Sequence, residues 1–186
     1  MTKKLVEIKK PEFDVELDIR YATSNNFTGT PVYKKNGAFL HPKAAEALNN
    51  SIRAAKKHGL RLKIFDTFRP KEAQQKLWNH SPNPEFLSNP ETGSCPHCRG
   101  VAIDLTLIDK DGMELEMGTE FDAFTPLSHH GNTEISPTAQ KNRELLKEIM
   151  METGWDFYRN EWWHYQLFNC REYELLTDAA ASTKMI

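Results

Sequence analysis

Four side chains in two short segments could carry chemistry. Within Cys95-Pro-His-Cys-Arg-Gly-Val-Ala-Ile-Asp104, His97 and Asp104 are of residue types that ligate zinc. In Glu161-Trp-Trp-His-Tyr165, His164 is a third candidate ligand, with the carboxylate of Glu161 three residues before it. Three protein ligands leave the fourth tetrahedral position to a water, whose pKa zinc lowers from about 16 towards 7, so that a neighbouring carboxylate can take its proton. Glu161 suits that task. Together they would make one Zn2+ site per chain suited to metal-assisted hydrolysis, whereas taken singly a histidine in an aromatic strand is more often a satisfied core residue and an aspartate near a glycine a turn or cap residue.

The elements that must position these groups follow from periodicity. Along Val101 to Ile108, successive side chains of a strand alternate faces, so Val101, Ile103, Leu105 and Leu107 share one face and Ala102, Asp104 and Thr106 the other. Asp104 projects between small neighbours, and a carboxylate buried in such a strand needs a partner. Glu161 and His164, three apart, would point to opposite faces of a straight strand, so a bulge or a strand start is expected at Trp162.

Around them, residues 41–58 space Ala44, Leu48, Ile52 and Ala55 as a helix does, with Gly59 as its stop. Residues 60–68 alternate as a strand, and Pro70 opens a helix over 71–79, which puts Arg69 at a strand-to-helix corner. Residues 80–99 form a long loop rich in Pro, Asn, Ser and Gly. Asp109-Lys-Asp-Gly112 is a hairpin turn leading into a strand over 113–117. Ser136 caps, and Pro137 starts, a helix to about residue 153, and 161–168 form the last strand. The expected fold is α+β, one domain over residues 1–186, with helices packed around a largely antiparallel sheet.

Composition removes other functions. Lys plus Arg number 24 against 26 for Asp plus Glu, with no basic run, so nucleic acid is not an expected partner. No segment approaches a membrane span, and the N-terminal residues 1–10 lack the apolar stretch of a secretory leader. Three cysteines, an odd number, make no disulfide framework and fit a reducing compartment, so the expected location is cytoplasmic. Cys95-x-x-Cys98 could be a redox pair or half of a structural zinc site, but there is no second Cys pair and no thioredoxin-like βαβ context. His129-His130 could also ligate metal; adjacent histidines rarely converge on one ion, which leaves them a loop role.

The combination His97-x-x-Gly100-x-Ala102-x-Asp104 with Glu161-Trp-Trp-His-Tyr165 resembles the VanX-type D-alanyl-D-alanine dipeptidases, zinc peptidases related to D,D-carboxypeptidases and to the zinc-binding fold of Hedgehog domains. The likeness runs from about residue 15 to 168. It includes Tyr21-Ala-Thr-Ser-Asn-Asn-Phe-Thr-Gly29, Asp66-Thr-Phe-Arg-Pro70, Met117-Gly-Thr-Glu-Phe-Asp122 and Ser128-His-His130. The resemblance implies that His97, Asp104 and His164 hold zinc and that Glu161 is general base and acid. It also implies that Arg69 stabilises the oxyanion, that Asp122 pairs with the ammonium of a small dipeptide substrate, and that Tyr21 lines the pocket.

At one position the chain departs from the family's pattern. Two residues before the metal histidine the family usually has a substrate-contacting serine, and here stands Cys95, a larger and weaker hydrogen-bond donor, with Cys98 near enough in sequence to compete for zinc. Two alternatives remain beside the dipeptidase. A D,D- or L,D-carboxypeptidase would lack an acidic residue at the amine end of the pocket, where Asp122 stands. A non-catalytic zinc-stabilised binding module would have no use for Glu161 and Arg69, since structural zinc prefers four protein ligands.

Overall fold

The computed structural model describes residues 5–186; residues 1–4 of the N-terminal segment discussed above lie outside them. The strands are β1 (Val6–Glu7), β2 (Val15–Leu17), β3 (Phe39–Leu40), β4 (Arg61–Asp66), β5 (Ala102–Ile108), β6 (Trp155–Phe157) and β7 (His164–Leu167). β1 and β3 form an antiparallel ribbon, and the other five make one sheet in the order β2-β4-β5-β7-β6. Only the β2–β4 pairing is parallel. The fold is therefore α+β with a largely antiparallel sheet, as expected.

Three helices form where capping and periodicity put them. In α1 (Pro42–Lys57), Nδ1 of His41 accepts from the backbone N–H of Lys43 and Pro42 opens the first turn, while Ala44, Leu48 and Ala55 are buried. α2 (Lys71–His80) follows Pro70 and buries Ala73, Gln74 and Leu77. In α3 (Pro137–Glu152), Ser136 Oγ accepts from Ala139 N at 3.0 Å. Its C-terminus is joined to α1 through Ser51, whose hydroxyl lies 2.7 Å from Thr153 Oγ1 and accepts from the buried Trp155 indole at 3.1 Å. Leu62, Ile64, Ile103, Leu105 and Leu107 lie wholly inside, each contributing about 1.5–3 kcal/mol of burial.

Two expected strands are corrected. The turn at Asp109–Gly112 forms, with Asp109 Oδ1 accepting from Asp111 N and Met113 N, but the chain beyond it makes only the bridge Ile108↔Glu114. Met113 is 66% exposed and has nothing to pack on, and the carbonyls of Glu116 and Met117 accept from the α3 side chains Asn142 and Arg143 instead of a strand. The last strand is regular only from His164. Glu161–Trp163 form a turn, with Glu161 N bonded to Tyr158 O and Trp162 N to Ser128 O, so the strand starts three residues after its expected first residue, Glu161. The parallel strand β2 and the short β1, β3 and β6 were not expected; at two or three residues they show no period of their own.

One irregularity in β4 matters for function. Ile64 pairs with Leu105, yet Asp66 pairs with Asp104, so one extra residue, Phe65, is accommodated between them. This bulge turns Asp66, instead of Phe65, towards the Asp104 side of the sheet.

Candidate active site

Asp66 on β4, Asp104 on β5 and His164 on β7 stand in one row, each directly opposite the next. Opposed residues share a face, so three polar side chains meet over the sheet. His97 joins them from a 3-10 turn, His97–Arg99, that ends on Gly100 in the left-handed region (φ +67°). A Cβ at Gly100 would lie 2.8 Å from Leu5 Cδ2 and 3.2 Å from His41 N, so this position requires glycine on both counts.

The ring nitrogens are assigned by their outer partners. His97 Nδ1 is 2.6 Å from the Thr67 carbonyl, which only accepts, so that nitrogen carries the proton and Nε2 presents a lone pair. His164 Nε2 is 3.0 Å from Gln166 Oε1, which leaves its Nδ1 as the lone-pair nitrogen. His97 Nε2, His164 Nδ1 and Asp104 Oδ1 then face one another at 3.1 to 3.3 Å. Three acceptors crowded together repel unless a cation sits among them, and donors about 2.0–2.1 Å from a tetrahedral ion are about 3.3 Å apart. The set fits a zinc ion. It is also the only such cluster of three or more His, Cys, Asp or Glu among the described residues, and Cys98, His129 and His130 are not part of it. Burial opposes ionisation of Asp104, but positive charge set against it, on the two rings when they are protonated, outweighs burial and holds its carboxyl well below the ordinary range.

Arg69 is fixed beside this cluster in the short connection between β4 and α2. Its Nε and Nη2 each lie 2.9 Å from Asp66 Oδ2, Nη1 donates to Gln74 Oε1 at 2.9 Å, and Nη2 is 3.6 Å from Asp104 Oδ2. The guanidinium lies over the Tyr21 ring, 4.9 Å from its centre. Asp66 is held in turn by the Tyr33 hydroxyl at 2.9 Å. On the opposite side, Tyr21 donates its hydroxyl to Asp122, at 3.1 and 2.9 Å from the two carboxylate oxygens, and Asp122 itself adopts φ +61°. Burial, with Asp104 nearby, pushes the Asp122 carboxyl up to about 8. Burial likewise raises Glu161 well above the carboxylate range, with Asp104 and Asp122 adding to the effect, and its Oε2 lies 3.9 Å from His164 Nδ1.

All eight residues singled out in the sequence, Tyr21, Arg69, Cys95, His97, Asp104, Asp122, Glu161 and His164, line one cleft of about 330 Å³, a volume suited to a small ligand. The long loop covers it. Glu85 O accepts from Tyr158 Oη and Asn160 Nδ2 on one side, and Phe86 stacks on Phe124 at 4.9 Å on the other. Cys95, at φ +46°, turns its S–H to the Asn89 carbonyl at 3.3 Å, while the adjoining Cys98 thiol draws Cys95 down to about 7 against the effect of burial. His130 is packed on Phe157 and Tyr165, and burial lowers it to about 4.

Sequence reasoning assigned no role to Asp66, Gln74 or Gln166. Gln166 was recoverable, because it lies two residues beyond His164 in a strand and so on the same face. Asp66 follows the run Leu62–Phe65 and invites the same buried-carboxylate argument that singled out Asp104.

Residues 1–178 match the D-ala-D-ala dipeptidase family of M15 peptidases. The chain belongs to that family. It is 40% identical over 177 residues to the D-alanyl-D-alanine dipeptidase of Escherichia coli (strain K12), covering 95% of this chain and 91% of that one. It is 35% identical over 173 residues to the D-alanyl-D-alanine dipeptidase of Enterococcus faecium, covering 82% and 86%. Among solved structures, the LdcB LD-carboxypeptidase is similar in fold, with a TM-score of 0.50 at 20% identity over 95% of this chain and 70% of that one. Membership of the D-ala-D-ala dipeptidase family fits a catalytic cleft better than a structural zinc site, since only three protein donors converge.

Proposed function

We propose that this chain is a zinc dipeptidase that hydrolyses D-alanyl-D-alanine to two D-alanines, with His97, Asp104 and His164 as the metal ligands. The observation that carries the reading is the presence, in one small cleft, of three convergent lone pairs and of a separate half-buried carboxylate, Asp122. When bound, zinc would supply Lewis acidity, polarising the scissile carbonyl and lowering the pKa of a water.

The chain's own residues do the rest. Glu161, whose burial makes it a strong proton acceptor, takes the proton of the attacking water and passes it to the leaving amine nitrogen. Arg69 cannot lose its charge and is held on two sides by Asp66 and Gln74, so it donates to the carbonyl oxygen as negative charge develops there, with little reorganisation. Asp122, steadied by the Tyr21 hydroxyl, binds the substrate ammonium. A carboxylate with little water around it gains most from a cation that enters with its substrate, and a peptide blocked at that nitrogen leaves Asp122 with the Tyr21 hydroxyl and no cation. Cys95 faces the same cleft in the position of the family's serine.

A cytoplasmic enzyme acting on fragments of cell-wall metabolism belongs to this reading. It is supported by three buried, unpaired cysteines, which persist in a reducing compartment, and no helix among the described residues is long and apolar enough to cross a membrane. The test is turnover by the zinc-loaded protein of D-Ala-D-Ala, L-Ala-L-Ala, D-Ala-D-lactate and a D-Ala-terminated tripeptide. Cleavage of the first far above the others is expected. A preference for the tripeptide would make the enzyme a carboxypeptidase, and no cleavage of any would favour a binding module.

A further inference from the structure

The turns that carry Glu161 and Asp122 come from distant parts of the chain, and they are joined through a short series of hydroxyl groups. Trp162, the residue after Glu161, donates its indole Nε1–H to Thr119 Oγ1 at 2.8 Å. Thr119 Oγ1 is 3.0 Å from Ser128 Oγ, and Ser128 Oγ donates to the carbonyl of Ala123, the residue after Asp122, at 2.6 Å. The ends of the series fix its direction, because an indole N–H only donates and a carbonyl only accepts. With the Ser128 proton committed to Ala123, Thr119 must give its own to Ser128, so each bond polarises the next. A second link runs through the main chain, where Trp162 N donates to Ser128 O at 3.1 Å. Ser128 is wholly buried, and Asp122 holds a left-handed conformation that persists only where its surroundings enforce it.

We infer that Thr119 and Ser128 are positioning residues that set the separation between Glu161 and Asp122, and thereby select peptides whose ammonium sits on the same residue as the scissile carbonyl. The inference rests on the roles proposed above for Glu161 and Asp122. In a dipeptide the ammonium and the scissile carbonyl share one residue. An N-acyl dipeptide offers no ammonium, and a tripeptide carries it one residue further away. A rigid spacing between proton carrier and amine anchor rejects both, whereas a loose one lets Asp122 drift and the preference shrink.

The test compares kcat/KM for D-Ala-D-Ala with that for N-acetyl-D-Ala-D-Ala in zinc-loaded wild type, Ser128→Ala, Thr119→Val, Thr119→Ser and Asp122→Ala, with zinc content measured in each. Ser128→Ala and Thr119→Val are expected to keep their zinc and to narrow the free-amine preference by about tenfold, the usual order for a broken buried hydrogen bond. Thr119→Ser keeps the hydroxyl and is expected to stay within about twofold of wild type. If Ser128→Ala and Thr119→Val lower both substrates by the same factor while Asp122→Ala collapses the preference, the positioning role is wrong and the assignment of Asp122 stands. If Thr119→Ser behaves like Thr119→Val, side-chain shape and not the hydroxyl series is responsible, and the inference fails. If Asp122→Ala leaves the preference intact, the amine-anchor assignment itself falls and takes the inference with it.

Discussion

Asp104 and His164 stand directly opposite each other on neighbouring strands, with Oδ1 3.1 Å from Nδ1, and both of these atoms are acceptors. Their register on β5 and β7 brings the two atoms together at a separation that suits a shared cation. Asp104→Ala is accordingly expected to lose its zinc on dialysis, as read by metal analysis. Glu161→Gln is expected to retain zinc and to lose about 10²–10⁴-fold in kcat. Full metal occupancy in Asp104→Ala, or an empty site in Glu161→Gln, would reverse the assignment of ligand and proton carrier.

Gln166 decides which nitrogen of His164 faces the ion. Its Oε1 takes the Nε2 proton at 3.0 Å, so Gln166→Leu should release the ring and weaken zinc by about 10–100-fold, while Gln166→Glu, which still accepts, should not. Competition with a chromogenic chelator measures the affinity. The tautomer of His164 in the metal-free protein, read by nitrogen NMR, separates this role from a general loss of packing.

Arg69 is predicted to act on the developing oxyanion, so Arg69→Ala should depress kcat by about 10²-fold or more and change KM far less. The same variant leaves Asp66 without its guanidinium and Asp104 with one fewer cation nearby. A lower melting temperature should accompany the kinetic loss. A rise in KM at unchanged kcat would reassign Arg69 to substrate binding.

Asp122 gives a pH dependence with a definite sign. Its folded-state pKa, raised to about 8, lies above its unfolded value, so the folded state binds more protons than the unfolded state between the two. The metal-free wild type should therefore lose stability relative to Asp122→Asn as pH rises from about 5 to about 8. Taking the difference between the two proteins cancels the titrations they share, including those of His130 and Cys95. Melting curves in chelator at several pH values provide the measurement, and a constant difference would count against a proton-retaining Asp122.

Cys95→Ser is expected to keep full zinc and to match or exceed the wild-type kcat/KM, since a hydroxyl serves the Asn89 carbonyl and the substrate as a stronger donor. Assays with and without dithiothreitol should agree for both proteins. A wild type that is inactive until reduced, beside an indifferent Cys95→Ser, would show instead that Cys95 and Cys98 act as a redox pair.

The convergence of His97, Asp104 and His164 and the three helices were legible because each rests on a local signal: residue type for the candidate ligands, and periodicity with caps for α1, α2 and α3. The α+β class followed from those elements. The β2–β4 pairing was not legible, since a three-residue strand has no pattern until a partner defines its edge. Nor was the strand predicted over 113–117, whose alternation is real but whose carbonyls are claimed by Asn142 and Arg143 of α3. The Glu161 turn lay between these cases. The parity conflict between Glu161 and His164 required a break in the strand, but where the strand resumed depended on Ser128, some thirty residues earlier in the chain.

The bulge at Phe65 also divides the chain into segments that tolerate changes in length and segments that do not. Pairing Phe65 with Asp104 in a regular ladder would turn Asp66 away and deprive Arg69 of its closest carboxylate, so a residue gained within Arg61–Asp66 has to be absorbed as a second bulge or a shifted register, and removing Phe65 itself empties a buried site in the core. In the loop over 81–94, by contrast, a residue gained or lost shifts no strand register and alters only the cover of the cleft. Descendants of this sequence are thus free to vary the length of their roof while the count of residues beneath it stays fixed.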